Sequence, residues 1–270
     1  MKKNSVLVKI LVTALAILMV AACLTGCSKK KGKTLDEVKK AGKLVIATSP
    51  DFPPFEELDG SKNVVGIEID ILQKICDELG VELKIEQMAF ESVLAGVQAC
   101  KYDVGVSGIT VTETRKKNTL FTDPYCLAAQ AIVVTEGSAI TSKADLTGKK
   151  VSVQTATTAE ESCIAAGYDV SSFEANSDAE AALLTGKVDA WVIDDLTAAE
   201  MVAVNNAGSG TKLVVLDEPM TTEPYAFAFA FGSEDLVAEI NKILKSMLDD
   251  GTIKAIFEKY NAPFTSPSSN

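Results

Sequence analysis

Apolar and polar residues alternate along most of the chain in two rhythms, one typical of strands and one typical of helices. Lys43–Thr48 contains a continuous apolar run, as in a buried strand. Apolar residues between 71 and 79 recur on one helical face, with Asp70 as the expected N-cap and Gly80 as the expected end. Over residues 81–85 apolar side chains alternate with Glu and Lys, which predicts a half-exposed strand.

The same two rhythms continue toward the C-terminus. Further strands are predicted over residues 103–106, 129–134, 151–153, 190–193, 213–216 and 226–231, and further helices over residues 92–99, 158–166, 178–184, 197–204, 236–248 and from 252 to 260. Strands that alternate with helices predict an α/β architecture with mostly parallel sheets. Two blocks of similar content predict two lobes.

Composition removes several classes of function. The 270 residues are 47% hydrophobic and 23% charged, as in a globular protein. The net charge of -11 argues against binding to nucleic acid. Histidine is absent, which excludes catalytic triads and zinc sites built on histidine. The six cysteines show no CxxC spacing, so we expect no metal and no cofactor.

The first residues have the pattern of a bacterial leader. Three lysines precede an uncharged run whose apolar part, Ile10 to Leu24, is shorter than the about 20 residues of a membrane-spanning helix. The run ends at Leu24-Thr25-Gly26-Cys27-Ser28, which resembles a lipobox. We therefore expect a signal peptide over 1–26, lipidation of Cys27 and a tether over 27–42. Cys23 fits the lipobox pattern more loosely.

The other four cysteines, Cys76, Cys100, Cys126 and Cys163, lie far apart in apolar contexts. Small buried hydrophobes are the expected role for most of them. A bridge between Cys76 and Cys100 stays open, because it depends on whether two helix ends meet.

Seven short motifs occur in one order from Lys43 to Tyr260, nearly the whole chain after the leader. They are Asp51-Phe52-Pro53-Pro54-Phe55-Glu56, Val65-Gly66-Ile67-Glu68-Ile69-Asp70, the run from Ser107 to Arg115, Phe121-Thr122-Asp123-Pro124-Tyr125, the run from Asp145 to Val151, Gly186-Lys187-Val188-Asp189-Ala190, and Asp250-Gly251-Thr252. This ordered set resembles the extracellular solute-binding proteins of amino-acid ABC importers, the polar-amino-acid family (family 3) with the type II periplasmic-binding-protein fold.

The resemblance implies a two-lobed clamp that closes on its ligand. Lobe 1 would comprise 34–127 plus 224–270, and lobe 2 would comprise 128–223, with two hinge crossovers between them. The protein would be an extracytoplasmic, lipid-anchored monomer. It would capture a free L-amino acid and deliver it to a membrane permease and its ATPase.

The resemblance also assigns the groups that hold the amino acid's common part. Arg115 would bind the ligand carboxylate, because a guanidinium can bond both oxygens at once. Gly108 and Thr110 would accept hydrogen bonds from the ligand ammonium. Without the family pattern, Arg115 is equally well a surface residue in a basic run.

Lobe 2 would complete this shell. Asp194 is expected to bind the ammonium and is chosen over Asp195 by its spacing, although either could cap a helix. Thr158, next to Thr157, would present a helix N-terminus to the ligand carboxylate. Ala156 stands where the family usually has glycine, which puts the shape of this loop in doubt.

Two aromatic residues, Phe52 and Phe90, would form walls around the ligand side chain. Ser49 and Gln154 would read its chemistry, and both are neutral hydrogen-bonding residues. A neutral, glutamine-like ligand is therefore favoured, with basic amino acids or cystine next. Asp51 and Glu91 keep a basic ligand open.

Two other functions fit the same fold. One is a cyclohexadienyl dehydratase, acting on prephenate or arogenate, and the other is a sensory domain for amino acids. Catalysis needs a positioned acid–base group, and we expect no catalytic residue here, since Asp194 is assigned to the ammonium. A chain that carries no further transmembrane or output segment favours delivery over sensing.

Overall fold

The alternation of strands and helices is present in the computed structural model, which describes residues 30–267. The strands are β1 Lys43–Thr48, β2 Asp51–Phe52, β3 Glu56–Leu58, β4 Val64–Val65, β5 Glu82–Gln87, β6 Val104–Gly105, β7 Leu120–Phe121, β8 Cys126–Ala128, β9 Gln130–Thr135, β10 Lys150–Gln154, β11 Asp169–Phe173, β12 Ala190–Asp194, β13 Leu213–Val215, β14 Glu223–Tyr225 and β15 Ala228–Phe229. The α-helices are α1 Leu35–Ala41, α2 Ile67–Leu79, α3 Phe90–Gln98, α4 Glu113–Lys116, α5 Thr158–Ala165, α6 Asn176–Leu184, α7 Asp195–Ala207, α8 Glu234–Asp249 and α9 Thr252–Lys259, and a 3-10 turn spans Lys143–Leu146.

Two five-stranded sheets form the centres of two lobes. The sheet of lobe 1 has the order β5-β1-β6-β15-β7, with β1 parallel to β5 and β6 and with β15 antiparallel to its neighbours. The sheet of lobe 2 has the order β11-β10-β12-β9-β13, with β10 parallel to β11 and β12 and with β9 antiparallel to its neighbours. The α/β class and the two lobes predicted from the sequence are confirmed.

A third, two-stranded sheet connects the lobes. Strand β8 runs antiparallel to β14, with Cys126 opposite Tyr225. Each strand leads from one large sheet to the other, so this pair is the hinge implied by the resemblance. A small antiparallel sheet, β2-β3-β4, completes lobe 1 beside the cleft.

The start of α2 differs from the prediction. Asp70 is not the N-cap, because the helix begins at Ile67, one turn earlier, after Gly66. Gly66 lies directly on the backbone of Phe55, where a Cβ would come within 2.2 Å of the carbonyl oxygen. Only glycine permits this approach. Asp70 instead pairs with Lys259 of α9, and Gly80 ends the helix as predicted.

The predicted tether is too long at its C-terminal end. Helix α1 begins at a capping box formed by Thr34 and Glu37. Its Val38 is fully buried in the core of lobe 1, so this helix belongs to the folded lobe. Helix α1 and strand β11 were not predicted from the sequence, because each buries few apolar side chains.

The four cysteines of the described residues are all free, and three of them, Cys76, Cys126 and Cys163, are buried. No bridge joins Cys76 to Cys100. The leader, Cys23 and Cys27 lie outside the described residues. Among residues 30–267, no helix combines the length and the apolar character needed to cross a membrane.

Candidate functional site

A narrow pocket lies in the cleft between the lobes, where about 310 Å³ of space, part of it open to solvent, is not filled by protein atoms. Its lining residues are Asp51, Phe52, Phe90, Ser107, Gly108, Thr110, Arg115, Gln154, Thr157, Thr158 and Asp194. The structure thus brings together all the predicted ligand-binding residues except Ser49. Ser49 is buried beside the pocket, where its hydroxyl bonds the lining residue Asp51.

The guanidinium of Arg115 is buried at one end of the pocket. Thr112 caps α4 by accepting a hydrogen bond from the Arg115 backbone, which fixes the side chain in the first turn. The guanidinium donates to the carbonyl oxygens of Thr110, at 3.0 Å, and of Ala156, at 3.2 Å across the cleft. Among the described residues no carboxylate forms an ion pair with it.

Burial therefore leaves a charge without a counter-ion. Desolvation lowers the pKa of Arg115, although the attraction of Glu161 and other acidic groups opposes this shift. Guanidinium carries five N–H donors, and only two serve the carbonyl acceptors. A planar, bidentate anion such as a carboxylate is the partner that best matches this geometry.

Asp194 ends β12 and precedes α7, and its Oδ1 is buried without a hydrogen-bond partner. Burial, followed by the negative charge of Glu223, raises the pKa of Asp194 well above its usual value. Asp195 lies in different surroundings, where its Oδ1 accepts from the backbone of Leu196 and of Ala129. Asp195 thus supports the helix start, and Asp194 remains for a cation or a donor.

The N-terminus of α5 forms the lobe 2 wall. Thr157 is its N-cap and accepts from the Glu160 backbone. The Thr158 hydroxyl accepts from Gln130 and donates to Glu223 of the hinge, so its oxygen is already engaged. Ala156 adopts the left-handed conformation, with φ of 65°, and its carbonyl meets Arg115.

Aromatic rings close the pocket on the lobe 1 side. Gly108 has a φ of 52°, and a Cβ there would lie 2.5 Å from the Phe52 ring. Glycine at this position therefore permits the close approach of the Phe52 ring to the backbone. Phe90 lies under the Arg115 guanidinium, 5.9 Å from ring centroid to Cζ. Its π face stabilises the cation without neutralising it.

The opposite end of the pocket is a connected polar network across the cleft. The Asp51 carboxylate accepts from the Ser49 hydroxyl at 2.8 Å, from the Gln154 amide at 3.1 Å and from the Asn176 backbone at 2.9 Å. The other amide hydrogen of Gln154 goes to the Glu174 carbonyl, and its Oε1 accepts from Asn176.

This network exposes acceptors and no donors. Both amide hydrogens of Gln154 are in use, so only its Oε1 and the Asp51 carboxylate oxygens can meet a ligand. Asp51 forms no ion pair among the described residues. This wall of Asp51, Gln154 and Asn176, the acceptor-only wall, thus combines a negative charge with a surface that offers hydrogen-bond acceptors and no donors.

Sequence reasoning missed part of this site. Asn176 and Glu223 were not singled out, although both are buried: Asn176 bonds Asp51 across the cleft, and Glu223 of the hinge strand β14 accepts from Thr158. Ser107 was quoted only as part of a motif. Glu91, considered for a basic ligand, is exposed and does not line the pocket.

The chain is similar to known proteins in both sequence and fold. Residues 44–263 match the family described as bacterial extracellular solute-binding proteins, family 3. The L-cystine-binding protein TcyJ of Escherichia coli (strain K12) is 30% identical over 92% of this chain and 94% of its own length. The arginine-binding extracellular protein ArtP of Bacillus subtilis (strain 168) is 31% identical over 90% and 96%. The structure is similar to an ancestral arginine-binding protein bound to glutamine, with a TM-score of 0.76 and 40% identity, covering 82% of this chain and 99% of the other.

Proposed function

Because the chain belongs to the bacterial extracellular solute-binding proteins of family 3, we propose that it captures one free L-amino acid between its lobes. The family places the protein outside the cytoplasm, as part of amino-acid uptake by an ABC transporter. Delivery to the permease and its ATPase, by a monomer, is the role proposed for this chain.

The observation that carries the proposal is a pair of unsatisfied groups at one end of the pocket. Arg115 has free donors without a counter-ion, and Asp194 has a buried oxygen without a partner. A buried charge without a partner costs free energy. The carboxylate and ammonium of a zwitterion satisfy both groups together.

Clamp closure follows from the position of these groups. Arg115 belongs to lobe 1, and Asp194 to lobe 2, with the hinge pair β8–β14 between them. A ligand that contacts both lobes binds the closed state more tightly and shifts the population toward it. The permease then meets a closed clamp.

The acceptor-only wall supports a ligand whose side chain ends in N–H donors. Glutamine and arginine both fulfil this condition, and glutamate does not. The neutral amide of Gln154 favours glutamine, as the sequence indicates, whereas Ser49 does not line the pocket. The unpaired charge of Asp51 favours arginine, which is the second candidate.

Calorimetric titration of refolded protein with glutamine, glutamate, arginine and cystine tests the proposal. Glutamine and glutamate have nearly the same shape, so their comparison isolates the wall. We expect glutamate to bind at least about a hundredfold more weakly than glutamine, since it would bury two carboxylates together. Equal affinities for glutamine and glutamate would contradict the inference that this wall offers acceptors only. Absence of binding of any amino acid by folded protein would contradict the receptor function.

A dehydratase is the alternative that one observation favours. A buried carboxyl group with a raised pKa, such as Asp194, is typical of acid catalysts as well as of ammonium sites. Incubation with prephenate or arogenate separates the two functions. Turnover would establish the enzyme, and its absence beside tight amino-acid binding would exclude it.

Membrane attachment through a lipid on Cys27 is also part of the proposal. The lipobox-like sequence supports it. The Cys27→Ser variant of the full chain should be recovered in the soluble fraction of cells, whereas the unchanged chain should be recovered with membranes. Identical fractionation of the two would contradict the anchor.

A further inference from the structure

Two acidic side chains are fully buried in lobe 1, behind the pocket wall. Glu56 begins β3, and Glu68 lies in the first turn of α2. Neither forms an ion pair among the described residues. Two carboxylates that share a buried site cannot both be charged without a large cost. One proton is therefore expected to reside on the pair.

The hydrogen bonds show which carboxyl group holds this proton. Glu68 accepts from the Gly108 backbone at 2.9 Å and from the Tyr125 hydroxyl at 2.8 Å, as a carboxylate does. Glu56 accepts from the Ser107 hydroxyl at 2.8 Å through Oε1. Its Oε2 is buried and accepts no hydrogen bond from a described residue, and the side chains of Glu56 and Glu68 are hydrogen-bonding neighbours. A proton on Oε2 of Glu56, donated to Glu68, satisfies every atom of the pair.

The electrostatic environment agrees with this assignment. Burial, followed by the negative charge of Glu68, raises the pKa of Glu56 well above its usual value. Burial also raises the pKa of Glu68, although its hydrogen-bond donors oppose the shift. The other ionisable groups that act on the pair are Asp51 of β2 and, beside the hinge, Tyr125 and Cys126. None of these is a cation, so nothing would balance a second negative charge.

The pair connects the two parts of lobe 1 that bind and move. Ser107 and Gly108 line the pocket, and each donates to one member of the pair. Tyr125 donates its hydroxyl to Glu68 and its backbone N–H to Tyr225, next to hinge strands β8 and β14. A change in the charge of the pair therefore reaches both the binding loop and the hinge.

We propose that Glu56 and Glu68 are a positioning pair that shares one proton, held on Glu56, and that this singly protonated state fixes the Ser107–Gly108 loop for the ligand. Loss of the proton places two negative charges behind the loop and weakens binding. The proposal rests on the proposed function, since it concerns the affinity for an amino acid.

Two isosteric variants separate the members of the pair. In Glu56→Gln the amide donates to Glu68 and accepts from Ser107, as the protonated acid does. We expect its affinity for glutamine or arginine, whichever binds the unchanged protein more tightly, to stay within about threefold. In Glu68→Gln an N–H must face the Gly108 N–H or the Tyr125 hydroxyl, so affinity should fall about tenfold or more.

The pH profile distinguishes a shared proton from a merely structural role. The unchanged protein should lose affinity as the pH rises through the raised pKa of Glu56, and Glu56→Gln should not. Exposed Glu78 on the same helix as Glu68 supplies the control, and Glu78→Gln should keep the unchanged profile. Equal losses in the two variants of the pair, or an alkaline loss that persists in Glu56→Gln, would overturn the proposal.

A second readout needs no amino acid. In the folded protein Glu56 has a raised pKa, and in the unfolded chain it has the ordinary glutamate pKa. Between these two pKa values the folded protein therefore keeps a proton that the unfolded chain has released. The folding equilibrium should weaken by up to about tenfold per pH unit in this window, and Glu56→Gln should remove that contribution. An unchanged slope in Glu56→Gln would refute the shared proton. Absence of ligand binding would instead refute the receptor function and leave this slope to judge the pair.

Discussion

The two ends of the pocket differ in how far the protein satisfies its own polar groups. At one end Arg115 and Asp194 keep donors and a buried oxygen without partners. At the other end Asp51, Gln154 and Asn176 bond one another across the cleft. Unpaired buried groups gain most from a ligand. Under the proposed function, the first end would therefore supply affinity for the part that all amino acids share, and the second end would select the side chain.

Of the changes that test this comparison, removal of Arg115 should reduce ligand affinity most. In Arg115→Ala the ligand carboxylate would be buried without a partner, which costs about 2–5 kcal/mol. Calorimetry should show a loss of this size for every amino acid that binds. Lys116→Ala is the matched control, because Lys116 is exposed and its one ion pair within residues 30–267 is with Glu113. Near-native affinity in Arg115→Ala would show that this end does not bind the carboxylate.

Asp194→Asn should have the second largest effect. The amide keeps the shape and loses the charge that faces the ammonium, a loss of about 1.5–3 kcal/mol. Asp195→Asn is the control, since its Oδ1 can still accept from the backbone. If both variants lose the same affinity, the choice of Asp194 over Asp195 is wrong.

The pKa of Asp194 adds a test by pH. Burial, followed by the negative charge of Glu223, raises this pKa, so the carboxyl group stays protonated at pH values well above the usual aspartate range. An ammonium favours the carboxylate, and binding should therefore release a proton in that window. Affinity should fall as the pH falls through the raised pKa. Calorimetry in buffers of different ionisation enthalpy measures the released proton, and Asp194→Asn should release none.

The sequence predicts the unpaired end better than the paired end, for a physical reason. Local elements position Arg115, capped by Thr112 three residues away, and Asp194, at the end of its strand. Motif spacing is enough to find such residues. The contact between Asp51 and Asn176 joins residues 125 positions apart, and its partners are defined only when the lobes meet.

The fold divides in the same way. Apolar residues that recur with strand or helix spacing over a whole element predict the central strands and the helices, because those elements bury a full face. Helix α1 and strand β11 escape prediction, since their stability comes from contacts with distant elements and few apolar residues mark them. Asp70 shows the converse. Its local sequence makes it a favourable N-cap, but the helix begins earlier, at Ile67, directly after Gly66, which lies against the Phe55 backbone.

Changes at the paired end should be smaller and should depend on the ligand. Asp51→Asn removes a half-exposed charge, so arginine should lose about 1 kcal/mol and glutamine clearly less. Asn176→Ala removes neutral hydrogen bonds from the contact between the lobes, and both ligands should weaken alike. Titration of each variant with both amino acids gives four affinities. A larger loss for glutamine than for arginine in Asp51→Asn would contradict the role of the charge.

Ala156→Gly should have the smallest effect, on stability more than on selection. Ala156 adopts a φ of 65°, where a Cβ is strained, and its carbonyl accepts from Arg115 at the unpaired end. Glycine removes the strain and loses some chain entropy, so we expect a gain of about 0.5–1 kcal/mol in the free energy of unfolding. Ala181→Gly, at an exposed position inside helix α6, should instead cost about 1 kcal/mol. Denaturant unfolding of both variants measures the contrast, and a destabilised Ala156→Gly would show that this backbone carries no strain to release.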